Sequence, residues 1–140
     1  MSETAKQRAS ETGRTRTTTK VRTFRDLVAW QRGMELAIAV YDHTRSLPEA
    51  ERYGLVSQMR RAAVSVPSNI AEGYARQSRA DYVRFLRVAR GSIAELGTQA
   101  ELAERLTLVA PNPQLRALID EEARILQALI RALELKEGGV

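Results

Sequence analysis

The sequence predicts an all-α protein, an antiparallel up-and-down four-helix bundle with a proline kink in its second helix. Three observations carry this. Aromatic residues make up only 5% of the 140 residues while Ala, Leu and Arg dominate, a composition suited to helices packed through aliphatic side chains. Apolar residues recur at steps of three and four along four separate stretches, the spacing of one helix face. Short, proline-bearing connections divide those stretches, and short connections favour antiparallel neighbours. Other all-helical arrangements satisfy the same spacing. The length suits one domain, and the apolar share of 44% is enough for a single core.

Residues 1–22 are rich in Thr, Arg, Ser, Glu and Lys with a single Val, a pattern that cannot offset the entropy of ordering, so a disordered basic tail is expected there. The bundle domain is expected over 23–137. Thr23 with Asp26 three residues later forms a capping-box pattern that should start helix one. Leu27, Trp30, Met34, Ile38 and Tyr41 then mark its buried face, and Leu47-Pro48 ends it.

Helix two is expected from about Glu51 to Tyr74. Val56, Met59, Ala63, Val66, Ile70 and Gly73 form a narrow seam of mostly small residues that implies close helix approach. Pro67 removes a backbone donor and crowds the carbonyl of Ala63, so it should kink the helix at a cost of roughly 3 kcal/mol. One kinked helix and two separate helices both fit this stretch. Asn69, Ser65 and Ser68 lie beside the proline. They serve either the carbonyl that Pro67 leaves unpaired or a ligand or subunit contact.

Ser78 with Asp81 opens helix three, along which Tyr82, Leu86, Ala89, Ile93, Leu96, Ala100 and Ala103 alternate at four and three. Gly91 and Gly97 within it each lower helix propensity by about 1 kcal/mol and are read as points of close backbone contact. Ala110-Pro111 is the stop. Asn112 caps helix four ahead of Pro113. Leu115, Leu118, Glu122, Ile125, Leu129 and Ala132 trace its face, with a second stripe at Ile119, Leu126, Ile130 and Leu133. Gly138-Gly139 ends it. The apolar faces of helices two to four are wider than one bundle core requires, which suits an oligomer.

The formal charge of +5 is unevenly spread, with +4 on residues 1–23, −2 on 24–51, +6 on 52–90 and −3 on 91–140. Positive charge therefore gathers on the tail and the middle of the chain. No apolar run approaches the ~20 residues that span a bilayer, and the N-terminus lacks the hydrophobic block of a signal peptide. The absence of cysteine excludes thiol catalysis and fits a reducing compartment. A cytoplasmic protein without membrane association is expected.

Enzymatic constellations are scarce. His43, the single histidine, lies near the end of helix one, where a solvated or helix-dipole role is expected. Val40 stands where a Glu-x-x-His metal pair would need glutamate. Asp120, Glu121 and Glu122 read as a solvated acidic face near a helix N-terminus. No catalytic residue, metal site or cofactor is expected.

Arginine is where the sequence points for function. Arg76, Arg79, Arg84, Arg87 and Arg90 follow one another from the end of helix two into helix three, and a guanidinium presents a planar fork to phosphate oxygens. They are the candidate nucleic-acid contacts, with Tyr74 and Tyr82 near enough to stack bases. Arg60 and Arg61 are read as structural, bridging to acids of adjacent helices or subunits, and Glu72, beside Gly73, as an acid that pairs with an arginine of helix three or of a neighbouring subunit. Pro67, Asn69, Glu72 and Gly73 complete the interface or structural set. No base-reading motif accompanies the arginines, so sequence specificity should be low.

The run GLVSQMRRAAVSVPSNIAEGY from Gly54 to Tyr74, the ARGSIAEL run from Ala89 to Leu96 and the opening FRDLVAWQRGMELA closely resemble the 23S rRNA intervening-sequence proteins, also called S23-like four-helix-bundle proteins. The resemblance spans about Phe24 to Leu135. It implies an up-and-down four-helix bundle with one continuous helix two, homopentamers, and kinship with the accessory protein of diversity-generating retroelements, which binds nucleic acid and a reverse transcriptase. Two functional expectations follow. The first is a non-enzymatic oligomer that binds RNA or DNA through backbone phosphates. The second is an assembly scaffold that recruits a protein such as a polymerase, with its arginines serving subunit contacts.

Overall fold

A computed structural model describes residues 20–138. The tail expected over 1–22 lies outside the described residues except for its last three. Among the described residues there are four long helices and no strand: α1 (Val28–Thr44), α2 (Leu55–Tyr74), α3 (Arg79–Arg105) and α4 (Pro113–Gly138). Contacting residues fall in number on one helix as they rise on its neighbour. Thr44 meets Arg60, Ser65 meets Ser92, Arg90 meets Gln127 and Glu104 meets Arg116. Arg32 likewise meets Glu121 and His43 meets Asn112, which closes α4 back onto α1.

The capping box at Thr23 and Asp26 forms, with Thr23 Oγ1 accepting from Arg25 N at 2.9 Å and Asp26 Oδ2 accepting from Thr23 N at 3.2 Å. It heads a single 3-10 turn, Phe24–Asp26, and not the helix itself. Leu27 has extended backbone, with ψ 128°, so α1 starts only at Val28. At the far end α1 stops at Thr44, three residues before Leu47.

The buried face of α1 differs from the expected one. Ala29, Gly33, Leu36, Ala37 and Val40 point inward, whereas Met34, Ile38 and Tyr41 are 38, 67 and 40% exposed. Both stripes have helical spacing. Small residues win the interior because α1 approaches its neighbours closely: a Cβ on Gly33 would lie 3.0 Å from Glu122 Oε2 and 3.4 Å from Val66 Cγ1.

Helix α2 begins at Leu55, since Glu49–Glu51 form a separate 3-10 turn, and it continues through Pro67 to Tyr74 as one element. Met59, Ala63, Val66 and Ile70 are fully buried and Gly73 is buried. The α3 seam is likewise inward, with Leu86, Ala89, Leu96 and Ala103 at 0% exposure. Gly91 is not a contact point, because an added Cβ there would meet nothing within 4 Å, and at Gly97 it would touch only Ile119 Cγ2, at an ordinary 3.7 Å. The close-approach glycines are Gly33 and Gly73 instead.

Helix α3 ends with Leu108 N donating to Ala103 O and Thr107 N donating to Glu104 O, both at 2.9 Å, the pairing that closes a helix through a left-handed residue. That residue is Thr107, with φ 55°. Asn112 caps α4 as expected, its Oδ1 accepting from Leu115 N at 3.0 Å. The two apolar stripes of α4 exchange ranks. Leu115, Ile119, Glu122, Leu126 and Ile130 are buried, while Leu118, Ile125 and Leu129 are half-buried and Ala132 is exposed.

A candidate nucleic-acid interface at the α2–α3 turn

The turn between α2 and α3 is four residues long. Ser78 Oγ accepts from Asp81 N at 3.1 Å and so opens α3 at Arg79. Gly73 brings the helices together here, since a Cβ on it would sit 2.8 Å from Phe85 Cβ and 3.2 Å from Tyr82 O. Phe85 is thereby fixed beside the turn. The guanidiniums of Arg76 and Arg84 lie 4.7 and 4.6 Å from its ring centroid, within cation–π range. Sequence reasoning missed Phe85. The available signal was an aromatic flanked by Arg84 and Arg87.

Each expected phosphate-binding arginine has a definite place. Arg76 donates to Glu72 Oε2 at 2.8 Å, so Glu72 pairs with an arginine of the turn that follows its helix and not with the helix-three arginine expected as a partner. Arg84 donates to Asp81 Oδ1 at 3.3 Å, Arg90 to Gln127 Oε1 at 2.6 Å, and Arg87 pairs with Glu134 on α4. Arg79 has no ion-pair partner among the described residues. Exposed pairs of this kind are worth about 0–1 kcal/mol, so a phosphate competes with them easily. The turn thus gathers Arg76 and Arg84 around Phe85, with Arg79 exposed at the start of α3, while Arg87 and Arg90 extend the basic strip along the α3–α4 edge.

The tyrosines are less available for stacking than expected. Tyr74 and Tyr82 pack edge to face, 6.0 Å between centroids, and both are half-buried. Burial pushes the Tyr82 hydroxyl up to about 12.

Arg60 makes none of the expected bridges to acids among the described residues and bonds α1 of its own chain. Its Nε donates to Thr44 Oγ1 at 2.8 Å, an Nη donates to Tyr41 O at 3.2 Å, and the guanidinium lies 4.5 Å from the Tyr41 ring centroid. It thereby satisfies the C-terminal end of α1. Arg61 is exposed and makes no ion pair among the described residues, lining a polar cleft with Ser65, Ser92 and Glu95. The cluster beside Pro67 does not serve the Ala63 carbonyl. Asn69 Nδ2 donates to Ser65 O at 2.8 Å and to Ser65 Oγ at 2.9 Å, and Ser65 Oγ shares a 2.8 Å bond with Ser92 Oγ on α3. Ser68 is exposed.

Two expectations of solvation are overturned. His43 is buried, and its Nδ1 accepts from the Asn112 side chain at 3.2 Å while Nε2 has no partner. Burial lowers its affinity for a proton, partly offset by Glu104 and Asp42. Glu122 is fully buried and neither carboxyl oxygen has a hydrogen-bond partner. Burial, with Glu121 adding repulsion, pushes it up to about 8 despite nearby Arg32.

The large residues displaced from the α1 interior form an apolar groove of about 950 Å³ along α1 and α2, lined among others by Trp30, Met34, Ile38, Tyr41, Val64 and Pro67. Pro67 is buried beneath it.

The model of the 23S rRNA-intervening sequence protein family matches residues 25–131. The chain belongs to that family. All five basic-strip arginines and the Phe85 ring fall inside the span shared with other intervening-sequence proteins. The fold is also that of a protein of unknown function from the S23 ribosomal protein family of Bacteroides thetaiotaomicron, 22% identical, with TM-score 0.68 over 74% of this chain and 96% of the other. No curated protein matches the chain significantly. Among the described residues no helix is long and apolar enough to cross a membrane.

Proposed function

We propose that this intervening-sequence protein is a non-enzymatic, cytoplasmic homo-oligomer, a pentamer by family resemblance, that binds RNA or DNA through backbone phosphates with low sequence specificity. The single observation that carries the reading is the basic strip around Phe85. Five arginines share one turn and one helix edge, and the three that pair with acids, Arg76, Arg84 and Arg87, do so only through exposed pairs. Phosphate oxygens accept from a guanidinium fork as a carboxylate does, so weak exposed pairs can be exchanged for phosphate contacts. Assembly would multiply one weak strip into an avid surface.

The test is a salt titration of binding to a structured RNA and to a scrambled sequence of the same length. Affinity is expected to fall log-linearly with salt, with a slope of roughly 0.7–0.9 per phosphate contact, and to be nearly equal for the two sequences. A flat salt response would refute phosphate binding. A second reading, a scaffold that recruits another protein, is favoured by the apolar groove on α1 and α2. It predicts that a partner captured from native lysate survives nuclease treatment.

A further inference from the structure

Two faces that the bundle core does not use match each other. The first is the α1–α2 groove, apolar along its floor, with Glu35 and Asp42 at its edge. The second is the outer face of α4, where Arg124, Ala128, Arg131, Ala132 and Leu135 line a shallow depression. All five are exposed, and Leu135 is 69% exposed. The two acids are seven residues apart on α1, and the two arginines are seven apart on α4. Seven residues is about two helical turns, or about 10.5 Å, on either helix, so one pair of charges can meet the other in register.

Neither charge pair is tied to another long helix among the described residues. Arg124 and Arg131 have no ion-pair partner among the described residues, while Glu35 pairs only with half-buried Arg32 one turn before it and Asp42 only with exposed Arg45 at the helix end. The small side chains of Ala128 and Ala132 let a helix lie deep, and positions 124, 128, 131, 132 and 135 form one face of the kind that fills a groove.

We propose that the outer face of α4 on one copy seats in the α1–α2 groove of the next, with Arg131 on Glu35 and Arg124 on Asp42. This antiparallel register is the one that carries Leu135 to the Trp30 and Met34 end of the groove. The opposite register would place it beside Arg45. The contact is head to tail, using different surfaces on the two copies, and so builds a ring or a filament rather than a two-fold dimer. It rests on the self-association reading above and names the surfaces that reading leaves open.

Light scattering coupled to size exclusion tests it, with circular dichroism as the control for folding. Glu35→Arg with Asp42→Arg is expected to reduce the assembly to the 15.6 kDa chain mass, as is Arg124→Glu with Arg131→Glu. Combining all four changes should restore the wild-type mass. Leu135→Asp, remote from the core, should also disperse the assembly. An assembly that survives either reversal, or a fourfold variant that stays dispersed, overturns the contact while leaving self-association standing. A wild-type monomer overturns both.

Discussion

The carboxylate of Glu122 on α4 faces the backbone of Gly33 on α1, with Oε2 3.0 Å from where a Cβ on that glycine would stand. Gly33 puts no side chain between the acid and the α1 backbone, and no group donates a hydrogen bond to it. A charge in such a place loses its hydration without gaining a hydrogen bond.

Stability should therefore fall as pH rises. The folded-state pKa of about 8 lies above the ordinary 4.5, so the folded form keeps a proton that the unfolded chain releases. The stabilisation is complete below about 4.5 and is lost as pH climbs to about 8, on the order of 3 kcal/mol by neutral pH. Glu122→Met should remove this slope and raise the melting temperature at pH 8. Denaturation curves at pH 5 and 8 decide it, and an unchanged slope in the variant would show that Glu122 is not its source.

His43 should act in the opposite sense. Its folded-state pKa is below 6.5, so stability is intact above that value and declines as pH falls toward the lowered one. Protonation would put hydrogens on both His43 Nδ1 and the facing Asn112 amide, and Asn112 also caps α4. In a Glu122→Met background, where the opposing slope is gone, melting temperature should drop between pH 7 and 5. Adding His43→Gln should flatten that drop.

Gly73→Ala should destabilise the bundle by roughly 1–3 kcal/mol through overpacking, because the new methyl would be 2.8 Å from Phe85 Cβ and 3.2 Å from the Tyr82 carbonyl, a backbone atom that cannot swing aside. Gly91→Ala should instead be neutral or stabilising, since its surroundings are open. Chemical denaturation of the two variants side by side checks the contrast.

Changing Arg76, Arg79, Arg84 and Arg87 together to Gln should weaken RNA binding and flatten its salt slope, with helix content and assembly mass unchanged. Asp120 and Glu121 changes should do neither. A quadruple variant that binds as before would favour the scaffold reading.

Four helices, their approximate ends and the α2 and α3 seams are legible from spacing alone, because Met59, Val66, Ile70, Leu86 and Leu96 are both large and inward. On α1 the same logic fails, where two stripes share one period and the interior goes to Ala29, Gly33 and Ala37, which carry little hydrophobic signal. Glu122 shows the converse. Its place in an apolar stripe marks it as buried, and its charge type marks it as solvated, yet only the packing of α1 decides between them. The arginines can be read from sequence as a group. Their tethering to Phe85, Glu134 and Gln127 cannot, because two of those partners lie on a helix more than thirty residues away.

The bonds that join Asn69 to Ser65, and Ser65 to Ser92, bear on the order in which the chain assembles. Pro67 deprives the middle of α2 of one rung of its own ladder, and beside that unreplaced rung α3 ties its Ser92 hydroxyl to the Ser65 side chain. Helices in proteins draw most of their stability from tertiary packing of one face, so α2 is expected to become persistent only when α3 is against it. A four-residue connection makes that encounter fast. Amides of α2 and α3 should accordingly gain protection together in pulsed hydrogen exchange, ahead of α1 and α4, making the hairpin between Leu55 and Arg105 the nucleus onto which the outer helices condense.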